Sequence, residues 1–116
     1  MASTLLTNAS AFPVLSINAQ TGTTYTFVLG DANNTLVTAS NASAITVTVP
    51  PNSSVAYPVG AILQLAQGGA GQVTIAAGSG VTINYTPGLK LRAQNSFGTL
   101  IQTAANTWLL SGDVTA

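Results

Sequence analysis

Chemistry by side chains starts with groups that hold or release protons, and this 116-residue chain has only four charged ones: Asp31, Lys90, Arg92 and Asp113. It has no histidine, so the usual general base near neutral pH is missing. It has no cysteine, which removes the thiolate nucleophile and any disulfide. Asp31 and Asp113 could work as an acid/base pair only if the fold joined them. Each sits beside a glycine in a turn-like context, where a carboxylate ordinarily bonds the local backbone. The plainer role is the expectation: no catalytic residue, no enzyme, and function intact when both are changed to Asn. Zinc has no His or Cys to bind. Calcium could use Asp oxygens, but the EF-hand spacing is absent. No metal, cofactor or small-molecule substrate is therefore expected.

Two glycine-rich segments, Gly68-Gly69-Ala70-Gly71 and Gly78-Ser79-Gly80, look superficially like phosphate cradles. Neither is followed by the Lys-Ser/Thr of a P-loop, so both read as β-turns. Lys90 and Arg92 stand two apart on one strand and point the same way. Two readings stay open for them. They protect an edge strand from wrong pairing, or they anchor an acidic partner or bridge to Asp31 or Asp113 across a subunit contact. Trp108 reads as core rather than as a ligand platform.

Charged residues make up 3% of the chain, against about 25% in an ordinary soluble domain. The surface must be built from Thr, Ser, Asn, Gln and Gly, with little repulsion to keep copies apart. Association with itself or with a large assembly is favoured over a monomer in a neutral coat. Two basic residues cannot neutralise the phosphates of a nucleic acid. An anionic membrane surface is disfavoured for the same reason. No apolar run is long enough to span a bilayer. The opening MASTLLTNASAFPVLSINA lacks a basic start and a long apolar run, and is read as no signal peptide. Asn-x-Ser/Thr sequons at Asn8, Asn33, Asn41, Asn52 and Asn84 are what chance gives in so Asn-, Ser- and Thr-rich a chain.

The elements that must position these residues are strands and turns. Thr24 to Leu29 alternates, with Tyr25, Phe27 and Leu29 on one face. A turn at residues 30–34 leads to a short strand, Thr35 to Ala39. Ile45, Val47 and Val49 face in along Ala44 to Val49. Pro50-Pro51 opens a loop. Val59 to Gln67 places Ala61, Leu63 and Leu65 together, and Val73/Ile75 and Val81/Ile83/Tyr85 continue the alternation. Leu89, Leu91 and Ala93 face away from Lys90 and Arg92. Thr99 to Thr103 and Thr107 to Ser111 close the chain, with Trp108 and Leu110 inside. No apolar pattern of helical period appears, and β-branched residues dominate.

Short strands at this spacing predict an all-β, single-domain antiparallel β-sandwich or barrel with an N-terminal arm. Residues 1–16 are the arm and 17–116 the β domain. The Thr-x-Thr pieces recur unevenly, which argues against a solenoid.

Four stretches carry a resemblance. They are Ile45-Thr46-Val47-Thr48-Val49-Pro50-Pro51-Asn52-Ser53-Ser54, Tyr57-Pro58-Val59-Gly60, Gly69-Ala70-Gly71-Gln72-Val73-Thr74-Ile75 and Gly80-Val81-Thr82-Ile83-Asn84. With the ending Thr107-Trp108-Leu109-Leu110-Ser111-Gly112-Asp113, they resemble a β module of tailed-bacteriophage virion proteins, from about Gly22 to Asp113. The resemblance implies a virion structural protein with no catalytic residues to carry over. It implies a capsid decoration (cement) protein on the particle surface, bound to the major capsid protein and to itself as a homo-oligomer such as a trimer. The alternative is a tail-associated or receptor-binding β module, with Tyr57, Tyr85 or Trp108 exposed in a groove. Candidate partner or subunit contacts are Lys90 and Arg92, with Leu5, Leu6 and Phe12 of the arm. From a different class, a flat Thr-rich face would suit an ice-binding or adhesive protein if its Thr-x-Thr pieces stacked regularly.

Overall fold

A computed structural model describes residues 14–116. Among them are eleven strands: β1 (Ser16–Gln20), β2 (Thr24–Thr26), β3 (Thr35–Ala39), β4 (Ile45–Val49), β5 (Ile62–Gln67), β6 (Val73–Ala77), β7 (Thr82–Asn84), β8 (Lys90–Leu91), β9 (Phe97–Ala104), β10 (Thr107–Gly112) and β11 (Val114–Thr115). The one helical element among the described residues is a 3₁₀ turn, Leu29–Asp31. All-β is right. The pairing is not what the turn spacing suggested.

From β1 to β8 the chain changes sheet at every strand. One sheet runs in the order β1-β3-β5-β9-β10-β7 and the other β11-β8-β6-β4-β2. Neighbours in sequence therefore face one another, and sheet neighbours come from successive turns of the chain. β1, β3 and β5 pair in parallel, as do β2, β4 and β6. The result is a solenoid-like stack of coils rather than an antiparallel sandwich or barrel. A parallel pair needs a long crossover, and here the strand of the opposite sheet supplies it. The antiparallel pairs β5·β9, β9·β10, β6·β8 and β8·β11 then close the stack.

The reason the repeat is hidden in the sequence lies in the turns. In the first sheet Ser16 sits beside Thr35 and Leu36 beside Gln64, so successive coils consume unequal lengths of chain. The loop between Val49 and Ile62 accounts for the longer coil. It folds inward: Tyr57 packs edge-on against Trp108, with ring centroids 5.4 Å apart, and its hydroxyl donates to the Val28 carbonyl at 2.6 Å. Asn33, Asn95 and Asn106 take the left-handed conformation at turns, which Asn tolerates.

The core lies between the sheets. Val37, Leu63, Leu65, Leu100, Trp108 and Leu110 fill it from one side, and Ile45, Val47, Val49, Val73, Ile75 and Leu91 from the other. Apart from an irregularity between Gln102 and Ala104 in β9, the longer strands follow the period-two rule, so each has an opposite face pointing to solvent. The strand expected to reach Leu29 ends at Thr26; Phe27 is buried, but Leu29 begins the 3₁₀ turn and is exposed. Strand β1 starts at Ser16, the last position assigned to the arm.

The first coil differs from those above it. Where β3 and β5 turn Val37, Ala39, Leu63 and Leu65 inward, β1 presents Asn18 and Gln20. Their amides join Tyr25 and Asp31 in a hydrogen-bonded polar lid at this edge of the described coils.

Candidate functional site

The four charged residues divide between two places. Asp31 is only 2% exposed. Its Oδ1 accepts from Asn18 Nδ2 at 2.9 Å, and its Oδ2 from the Tyr25 hydroxyl at 2.5 Å and the Val28 amide at 3.0 Å. The last bond closes the 3₁₀ turn, the local role the sequence suggests, but the carboxylate performs it buried, which a turn context does not imply. Burial, followed by the bond to Asp31 and the carboxylate's negative charge, pushes the Tyr25 hydroxyl up to about 12. Burial, then the charge of Asp31, also raises Tyr57 well above the ordinary phenol range.

Asp113 lies at the other, closed end. Arg92 grips it with two bonds, Nε to Oδ1 at 2.8 Å and Nη2 to Oδ2 at 2.9 Å, and the Ser96 hydroxyl donates to Oδ2 at 2.7 Å. Arg92 beside it, with the Ser96 bond, holds the Asp113 carboxyl below its usual range. The bridge considered across a subunit contact thus forms within the chain. Asp31 and Asp113 share no partner among the described residues. No group of three or more His, Cys, Asp and Glu side chains lies together among those residues.

Lys90 does not guard an edge. Strand β8 lies inside its sheet, between β6 and β11, with Lys90 beside Thr74 and Thr115. Among the described residues it makes no ion pair. It stands at the margin of a regular hydroxyl array. On the outer face of the five-stranded sheet, Thr24, Thr46 and Thr74 are direct neighbours across three parallel strands, as are Thr26, Thr48 and Ala76. Strand spacing puts the members of a row about 4.8 Å apart and the two rows about 6.7 Å apart. The Thr-x-Thr pieces that looked irregular in sequence are in register in space, because the turns, not the strands, absorb the unequal lengths.

The outer face of the six-stranded sheet has a different character. Its middle row is Ile17, Leu36, Gln64, Thr99 and Ser111. A flanking row is Ile62, Ile101, Leu109 and Asn84, and the opposite one Ala19, Thr38, Ala66 and Phe97. Ile17 is 62% exposed, Leu109 46%, Phe97 40% and Ile101 38%. No charged residue occupies any of these positions. At its centre the Gln64 Oε1 is enclosed and has no hydrogen-bond partner. The sequence pattern marks the inward-facing residues of these strands as core and leaves the outward ones without a role. The signal was there in the alternate positions Ile62, Ile101 and Leu109, apolar where a solvated face calls for polar residues.

Trp108 is fully buried, as expected of core. Of the aromatics a ligand groove would expose, Tyr57 and Trp108 are both in the core and Tyr85 alone is half exposed. Leu5, Leu6 and Phe12 lie outside the described residues. No helix among the described residues is long and apolar enough to cross a membrane. No family model, curated protein or solved structure matches this chain.

Proposed function

We propose that this chain is a non-enzymatic structural protein of a bacteriophage particle, a decoration (cement) protein that binds the head surface and stabilises it. The observation that carries the reading is the outer face of the five-stranded sheet. There an in-register array of Thr side chains ends at Lys90, a cation with no ion-pair partner among the described residues. Neutral hydroxyls bond to a partner at modest desolvation cost, and Lys90 supplies an anchor for a carboxylate. Many small bonds from neighbouring strands suit a surface that must be held rather than transformed. The resemblance of residues 22–113 to phage virion modules supports the same reading. Binding to assembled particles stabilises them by mass action.

The test is to mix purified protein with heads that lack it. Co-sedimentation and a higher disruption temperature are expected, and Lys90→Glu or Thr46→Arg should weaken both. Binding to isolated tails but not to heads would overturn the head assignment. The tail or receptor alternative is weakened by the burial of Tyr57 and Trp108.

The in-register Thr rows favour one second reading, an ice-binding face, since a lattice of methyls and hydroxyls at regular spacing can order water. Absence of thermal hysteresis in the purified protein removes it.

A further inference from the structure

We infer that the outer face of the six-stranded sheet is where copies of this chain pack on one another. The inference rests on reading the chain as an association module, and it names the partner for the face opposite the Thr field. Three properties point to a second copy. The face is apolar where an antiparallel or solvent-facing sheet is ordinarily polar, with Ile17, Ile62, Phe97, Ile101 and Leu109 on it. It carries no charged residue, so like can meet like with no repulsion, and a foreign partner has no charge to read.

Its size also fits. Six strands span about 24 Å and five or six residues about 18 Å, a footprint of roughly 430 Å² before corrugation adds to it. Two such faces together approach the ~1,000 Å² of a specific interface. Sheets bury their faces by stacking about 10 Å apart, with side chains interleaved.

The cysteine-free chain allows a clean test. Light scattering on the full-length protein should report a closed oligomer that dissociates on dilution. Leu109→Lys and Ile101→Asp, each at a partly exposed position, should shift that dissociation at least about tenfold towards monomer, since each places a charge in an apolar contact. Circular dichroism and Trp108 fluorescence should stay unchanged. In Thr99→Cys, maleimide labelling should slow as protein concentration rises. In Thr46→Cys, on the opposite sheet, it should not. A protein that stays monomeric at high concentration overturns the inference, and so does an oligomer indifferent to Leu109→Lys and Ile101→Asp. Either failure leaves the head-binding test standing, because that test reads the other face.

Discussion

Substituting Gly71 by Ala should be among the most damaging single changes in the protein, although it adds one methyl group. Gly71 lies in the turn between β5 and β6, which rests on the turn between β3 and β4 one coil below. The two are laced by Gly68 N–H to the Ala39 carbonyl at 2.7 Å, Gly71 N–H to the Asn41 carbonyl at 2.8 Å and Ile45 N–H to the Gln72 carbonyl at 3.0 Å. A Cβ on Gly71 would lie within 2.6 Å of the Asn41 oxygen and closer still to the Ser43 carbonyl. These are backbone atoms, so no side-chain rotation relieves the overlap and the corner must separate. Overpacking alone costs about 1–3 kcal/mol, and loss of the Gly71–Asn41 bond about 1 kcal/mol more. A total of about 2–4 kcal/mol is a large part of the ~5–15 kcal/mol that holds a domain together. For a domain of this size that lowers the melting temperature by roughly 12 °C. The control is Gly30→Ala, whose Cβ meets nothing within 4 Å. It should be neutral or slightly stabilising through the unfolded chain. Thermal melts followed by Trp108 fluorescence compare the two. If Gly71→Ala melts within about 2 °C of Gly30→Ala, the coil corners are not stacked in this register and the parallel pairing is wrong.

Other outcomes follow from the polar lid and the buried amides. Asp31→Ala leaves the Tyr25 hydroxyl and the Val28 amide without their acceptor and should cost about 2–3 kcal/mol in urea unfolding. Asp31→Asn keeps one acceptor and should cost less, so equal losses would refute the bonding scheme. Because the folded state raises the Tyr25 hydroxyl to about 12, stability from this group is complete below about 10, the unfolded phenol value, and is lost as pH rises towards 12. Denaturant midpoints across that window should fall, and Tyr25→Phe should make the fall shallower, leaving the part that belongs to Tyr57; an unchanged slope would count against the assignment. Gln102 is fully buried, and its Nε2 donates to the carbonyls of Tyr57 and Pro58, both at 2.8 Å, pinning the long loop. Gln102→Leu should loosen that loop, detected as faster proteolysis between residues 50 and 61, while Gln64→Leu on the outer face should not.

Alternation of apolar and polar residues is a local property, and it settled much of this protein from sequence alone. The inward positions Ile45, Val47, Val49, Leu63, Leu65, Trp108 and Leu110 were legible because a strand has a period of two whatever it pairs with. The asparagine turns were legible because few other residues accept a left-handed backbone. Pairing is not local. A strand that returns by hairpin and one that returns after a full coil carry the same pattern, so parallel stacking, the in-register Thr rows and the apolar outer face around Gln64 stayed hidden. The partners of the charges stayed hidden for the same reason. Asp31 meets Asn18 and Tyr25, and Arg92 meets Asp113, only because the coil path brings distant chain segments together. Composition by itself determined how few ionisable groups this chain carries; only the three-dimensional path of the backbone decided which residues share each surface.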